Sequence, residues 1–149
     1  MGRGLDQTPR QFAESLLRAG VSRGYVVHDP DSDALRISHP VLEGVAAALL
    51  RRPLGFARHE AVFLAVAPRT RALFGAFVHS TVRGQAQGGV RRWRYPALEE
   101  FLRDGLRLSH GMSRKSALAG LWWGGGKGVI AAPEDGGEDA AFRRTLYEE

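Results

Sequence analysis

The chain has only two lysines, Lys115 and Lys127, against nineteen arginines, and they stand twelve residues apart in one glycine-rich segment. Arginine stays charged in almost any protein environment, whereas lysine gives up its proton when desolvated. Two clustered lysines in a chain that uses arginine elsewhere mark a place where an amine is specifically required. Two ammonium groups held close together and away from water disfavour each other's charge. One can then stay charged while the other works as an acid–base group near neutral pH. Glycines accompany them: Gly88-Gly89 ahead of Lys115, and Gly124-Gly125-Gly126 directly before Lys127. Without a Cβ, such positions let a ligand come close to the backbone beside the amine.

Gly-Gly-Gly-Lys alone is most simply a turn, and it is not a nucleotide motif. A P-loop needs Gly, four residues, Gly, Lys and then Ser or Thr. Here Leu121 replaces the first glycine and Gly128 the hydroxyl residue. The G-x-G-x-x-G fingerprint fails at Val129, and it would have to open a helix, whereas this run leads into a strand pattern. The five histidines, His28, His39, His59, His79 and His110, show no metal-ligand spacing, and His79 and His110 read as surface or packed residues. Asp29, Asp31 and Asp33 alternate as in a calcium loop but lack its glycine and its terminal glutamate, so they read as a turn. There is no cysteine, which excludes a disulfide framework, a zinc ribbon and thiol chemistry. No metal ligand set is assigned.

The elements that must position these residues follow from periodicity. Residues 8–19 read as an amphipathic helix, with Thr8 as N-cap, Pro9 in the first turn, Phe12, Leu16 and Leu17 on one face and Gly20 closing it. Two short strands at 24–29 and 34–39 flank the aspartate-rich turn. A second helix spans 39–52, ended by Pro53 and Gly55. Two apolar runs near 60–67 and 72–80 form a hairpin around Pro68-Arg69-Thr70-Arg71, and a Gly-rich turn follows at 84–89. The spacing of Leu98, Phe101, Leu102 and Leu106 predicts a helix over 96–112, with Glu99 and Glu100 on its solvated side. A short helix capped by Ser113 spans 113–120, and a Gly-rich turn and strand cover 122–132. Residues 138–149 form a last helix without a C-cap, where Glu148 and Glu149 oppose the helix dipole. That ending reads as a chain cut within a larger protein.

The chain has 149 residues, of which 44% are hydrophobic and 25% charged, the balance of one folded domain or of one with a small appendage. No stretch reaches the ~18 apolar residues of a membrane span. The start, MGRGLDQTPRQF, has no apolar signal region, so a cytoplasmic address is the default. Net charge is +5, but the arginines are scattered, and a solvated face explains them better than a nucleic-acid partner.

Residues 59–133 resemble the N-terminal substrate and dimerisation domain of the Glu/Leu/Phe/Val amino-acid dehydrogenases. The resemblance rests on GQAQGGVRRWRY, LEEFLRDGLRLSHGMSRKSALAGL and WWGGGKGVIAAP. Gly-Gly, then M-S-x-K, then GGGK at this spacing is specific where each piece alone is not. The hairpin HEAVFLAVAPRTRALFGAFVHS also looks like the family's opening strands.

The resemblance implies an α/β fold, a mixed sheet flanked by helices. Residues 1–57 would form an N-terminal extension of unknown role, and residues 58–149 the substrate and dimerisation domain, cut before a Rossmann domain. Lys127 would be the catalytic lysine, polarising the water that attacks an imine during oxidative deamination. Lys115 would bind the substrate's α-carboxylate, with Met112 lining the pocket and the backbone of Gly88 and Gly89 against the amino acid. Gln87, where glutamate-type members carry lysine, is neutral and leans toward an apolar substrate of the leucine, phenylalanine or valine type. The partners implied are an L-amino acid, its 2-oxo acid and further copies of the chain. The cofactor implied is NAD or NADP, bound by a domain absent from this chain, so that the chain alone does not turn over. The family's catalytic aspartate falls past residue 149, and Trp122 and Trp123 are bulky for the family's turn. The alternative is a non-catalytic amino-acid-binding or assembly module of the same ancestry.

Overall fold

The computed structural model describes residues 5–51, 54–133 and 139–149. The first helix, α1 (Pro9–Arg18), is set by a capping box: Thr8 Oγ1 accepts from the Gln11 N–H and Gln11 Oε1 accepts from the Thr8 N–H, and Gly20 closes it at φ +73°. Strands β1 (Arg23–Asp29) and β2 (Ala34–Ile37) pair antiparallel across the aspartate-rich turn. A short 3-10 turn at Pro40–Leu42 leads into α2 (Glu43–Leu50). Its expected stop at Pro53 lies outside the described residues. Strands β3 (Ala61–Val66) and β4 (Leu73–Ser80) form the expected hairpin.

The chain departs from the sequence reading beyond residue 80. In place of a Gly-rich turn, residues 84–93 carry two strand segments, β5 (Ala86–Gln87) and β6 (Val90–Trp93). In place of two helices there is one, α3 (Leu98–Leu118). No proline interrupts it, and Gly111 costs a helix only about 1 kcal/mol. The stripe Leu102, Leu106, Ser109, Ser116 stays buried across the expected break, so Ser113 is a mid-helix residue and not a cap. Gly120, at φ +69°, ends α3, with the Gly120 N–H bonded to the Ala117 carbonyl and the Leu121 N–H to that of Ser116. GGGK is likewise not a turn: it opens strand β7 (Gly124–Ala131). Helix α4 (Ala140–Glu148) ends with its two acids held, because Glu149 accepts from Thr70 and from the Arg69 N–H while Arg69 pairs with Glu148.

The mixed seven-stranded sheet runs β2-β1-β3-β4-β7-β5, with β6 also on β7. Strands β1 to β4 and β7 are antiparallel in succession, while β5 and β6 lie parallel to β7, end to end along its free side. The sheet crosses position 57, because β1 pairs with β3. One core holds Phe12, Leu16, Val45, Leu49, Leu64, Phe77, Leu102 and Val129 together. Gly105 brings α3 down onto the sheet: a Cβ there would lie 2.2 Å from the Phe77 ring.

Candidate functional site

The two glycine motifs, far apart in sequence, are neighbours across one ladder. Gln87 pairs with Gly125 and Val90 with Gly128. The offset is constant, so Gly88 stands opposite Gly126 and Gly89 opposite Lys127. The chains approach too closely for side chains: a Cβ on Gly88 would lie 1.7 Å from the Gly126 carbonyl oxygen. Lys127 Nζ lies 3.9 Å from where a Gly89 Cβ would be. In-register parallel residues share a face, so Gln87, Gly89 and Arg91 point the same way as Gly125, Lys127 and Val129.

That face is the one α3 covers. A Cβ on Gly125 would lie 2.2 Å from Ser113 Oγ, so the M-S-R-K turn of α3 rests on the GGGK strand. Met112 is half-buried there, and Lys115, in the last turn of α3, is exposed. The structure therefore brings Gln87, Gly89 and Lys127 to one side of a strand pair against which Ser113 rests, and Met112 and Lys115 lie on the same stretch of α3. Gly88 and Gly89 are both exposed, which leaves their backbone open to a ligand.

Two supporting groups were not foreseen. The first is a histidine cluster from three elements. The β4–β7 register shifts between Val78 and Ser80, so His79 is the bulged residue. A bulge re-aims its side chain, and here His79 Nδ1 lies 2.7 Å from Ser113 Oγ. The His79 ring stacks on His110 at 4.4 Å and meets His59 edge-on at 4.8 Å. His59 Nδ1 accepts from the Ala57 N–H, so its Nε2 carries the proton given to the Leu106 carbonyl at 2.9 Å. Burial, with repulsion from His79 and His110 added, lowers the His59 pKa to about 4. Burial and His110 also lower that of His79, and burial and Arg114 that of His110. These rings stay neutral at pH 7 and act as packed hydrogen-bonding wedges. A sequence signal existed in His110 and Ser113 at i,i+3 on the buried side of one helix, but it is visible only once that helix is read as continuous.

The second group is a carboxylate hub. Asp104 accepts from Arg91 at 3.0 Å, from the Tyr95 hydroxyl at 2.8 Å and from Arg107 at 2.7 Å. Its partial burial would raise its pKa, but Tyr95, Arg107 and Arg91 override that and hold it below the usual carboxylate range. The Tyr95 hydroxyl, buried against Asp104, is pushed well above the ordinary phenol value. The hub ties β6 to α3, and so fixes the strand that follows Gly89.

The glycine run does not offer a phosphate cradle. Such a cradle needs free N–H groups, and the Gly124 and Gly128 N–H groups are bonded to the Gln85 and Gly89 carbonyls. Among the described residues, no His, Cys, Asp or Glu group could hold a metal, and no helix is long and apolar enough to cross a membrane.

The sequence model of a family described as "Glu/Leu/Phe/Val dehydrogenase, dimerisation domain" matches residues 71–147. A leucine dehydrogenase of Geobacillus stearothermophilus is 49% identical over 67 residues, 44% of this chain and 18% of that protein. A valine dehydrogenase of Streptomyces virginiae is 55% identical over 53 residues, 36% of this chain and 15% of that protein. A phenylalanine dehydrogenase of Lysinibacillus sphaericus is 40% identical over 88 residues, 58% of this chain and 23% of that protein. Among solved structures, the L-tryptophan dehydrogenase from Nostoc punctiforme superposes with a TM-score of 0.54 at 32% identity, covering 67% of this chain and 29% of that one. The match thus spans less than a third of the length of each of these proteins.

Proposed function

The chain belongs to the Glu/Leu/Phe/Val dehydrogenase family, and from that premise we propose that it supplies the substrate-binding and subunit-pairing part of an L-amino-acid dehydrogenase. The reaction is oxidative deamination of an apolar amino acid to its 2-oxo acid. Residues 58–149 carry the site, and residues 5–51 complete the far edge of the same sheet. The observation that carries this reading is the placement of Lys127 over Gly89, beside the turn of α3 that bears Lys115.

In this reading the Lys115 ammonium holds the α-carboxylate, and Met112 walls the apolar side. The exposed backbone of Gly88 and Gly89 lies along the amino acid. Gln87, on the same face as Lys127, is neutral and offers no charge to a side-chain carboxylate, which favours leucine, valine or phenylalanine over glutamate. Lys127 holds a proton next to the reacting carbon and orients the water that attacks the imine. In the whole enzyme NAD or NADP would supply the hydride acceptor. The glycine run of this chain does not fit that dinucleotide, because its Gly124 and Gly128 N–H groups are already bonded, and the expected outcome is that this chain alone reduces no NAD.

Isothermal titration of the chain with Leu, Val, Phe and Glu, with Lys115→Ala alongside, tests the reading. Heat of binding for an apolar amino acid that disappears in the variant is the expected result. Binding of glutamate in preference to the others would overturn the substrate assignment, and equal binding by the variant would overturn the role of Lys115.

A further inference from the structure

Strand β4 leaves its regular pairing with β7 where it passes the glycine run. Val78 pairs with Gly126 and Ser80 with Gly125, so two steps along β4 match one along β7 and His79 is the extra residue. Earlier on the strand the positions that face α3, Leu73 and Phe77, are apolar and buried. His79 continues that face with a polar ring. A leucine there would add apolar burial, whereas an imidazole taken out of water costs free energy unless it is hydrogen-bonded. The bond it makes is to Ser113, with Nδ1 2.7 Å from Oγ.

Ser113 is unusual in its turn. A serine inside a helix often returns its hydroxyl to a carbonyl of the preceding turn. Ser109 does so, donating to the Gly105 and Leu106 carbonyls. Ser113, one turn on, reaches out of the helix to His79. It does this where α3 comes down on the GGGK strand. A Cβ on Gly125 would lie 2.2 Å from Ser113 Oγ, 2.4 Å from the Ser109 carbonyl oxygen and 2.5 Å from the Ser113 nitrogen. Gly125 is thus a floor that stops α3 from coming lower, but a floor does not hold the helix in place. A directional hydrogen bond does. The ring that makes it is fixed in turn, stacked on His110 and edge-on to His59, which is itself bonded to the Ala57 N–H and the Leu106 carbonyl.

We propose that His79 is a positioning residue of the amino-acid site: through Ser113 it sets the height and rotation of α3 over the GGGK strand, and so the spacing of the Lys115 and Lys127 amines. An α-helix turns about 100° per residue, so holding Ser113 fixes the directions in which Met112 and Lys115 leave α3. Lys127 stands two residues beyond Gly125 on the same face of β7, so the same contact sets the room above it. The inference rests on the reading of Lys115 and Lys127 as the amines of an amino-acid site, and it adds what sets the distance between them. His79 and Ser113 need not touch the ligand to do this.

Isothermal titration of the whole chain with L-leucine, L-valine and L-phenylalanine tests it, beside His79→Asn, His79→Gln, Ser113→Ala and the double variant His79→Gln/Ser113→Ala. Asparagine carries an amide group at the place of Nδ1 and can still bond Ser113 in either direction, while glutamine reaches the place of Nε2 and cannot. Melting curves show which variants are folded. Alanine favours a helix over serine, so Ser113→Ala carries the test if the histidine variants do not fold. The expected result is a dissociation constant raised about 10-fold in His79→Gln and in Ser113→Ala, no higher in the double variant, and within about twofold of the wild type in His79→Asn. Binding lost equally in His79→Asn and His79→Gln overturns the inference and leaves His79 a packing residue. Unchanged binding in Ser113→Ala overturns it, as do losses that add in the double variant. A wild-type chain that binds none of the three amino acids overturns the reading of the two lysines, and this inference falls with it.

Discussion

The antiparallel and parallel parts of the sheet are held together by different means. From β1 to β4 the core-facing positions carry Val26, Val62, Leu64, Leu73 and Phe77, and the strands are bound to the helices through apolar side chains. Where β5 runs into β6 beside the start of β7, Gly88, Gly89 and Gly124–Gly126 leave side chains out on both faces, and the strands approach until a Cβ on Gly88 would not fit between them. One part gains its stability from burying apolar area. The other gives that up for bare backbone and one amine. The residues of the candidate site stand where packing side chains are sparse, next to a region that supplies stability for both.

Four predictions break or sharpen that contrast. The largest effect belongs to the antiparallel part: Phe77→Ala empties the space beneath Gly105 and should cost about 3–5 kcal/mol in urea unfolding, with the whole chain melting as one unit. In the parallel part, Gly88→Ala forces a backbone shift against Gly126 and should cost up to about 3 kcal/mol, read as a lower melting temperature together with loss of amino-acid binding.

The histidine cluster sits at the junction of the two parts and gives a pH test. The His59 pKa is about 4 in the folded chain against about 6.5 unfolded, so the unfolded chain binds the extra proton. Its stability contribution is complete above pH 6.5 and is lost as pH falls toward 4. Between pH 7 and 5 the loss should be about 2 kcal/mol, measured by urea titration at each pH, and His59→Gln should flatten that slope. The smallest effect separates chemistry from packing. Gly89→Ala adds a methyl group 3.9 Å from Lys127 Nζ with no other atom within 4 Å. It should change stability by less than about 0.5 kcal/mol while weakening amino-acid binding in the titration.

Legibility in the sequence followed the same division. The antiparallel part was readable because local chemistry decides it: Thr8 and Gln11 form their box, and the 61–66 and 73–80 runs form their hairpin where apolar periodicity put it. The parallel part was not, because its decisive contacts are non-local. Nothing within residues 84–89 says that they pair with a strand 38 positions later, and glycine-rich segments look like turns until a partner is known. Ser113 looked like the cap of a separate helix, a local signal that the tertiary contacts of Ser109 and Ser116 override. The lysine pair stands out in the sequence by residue usage and spacing, and its roles belong to the proposal. The bulge at His79 and the Asp104 hub were not, since both exist only across the folded interface between α3 and the sheet.

The continuity of α3 makes it a rigid rod. It carries Asp104, clamped by Arg91, Tyr95 and Arg107, near one end and Lys115 near the other. The eleven helical steps from one to the other span about 16 Å, so a tilt of about 4° at the clamp would carry Lys115 through about 1 Å at the far end, which in its proposed role is enough to misplace a bound carboxylate. The clamp therefore acts as the bearing of a lever, and its three donors set the reach of an amine they never touch.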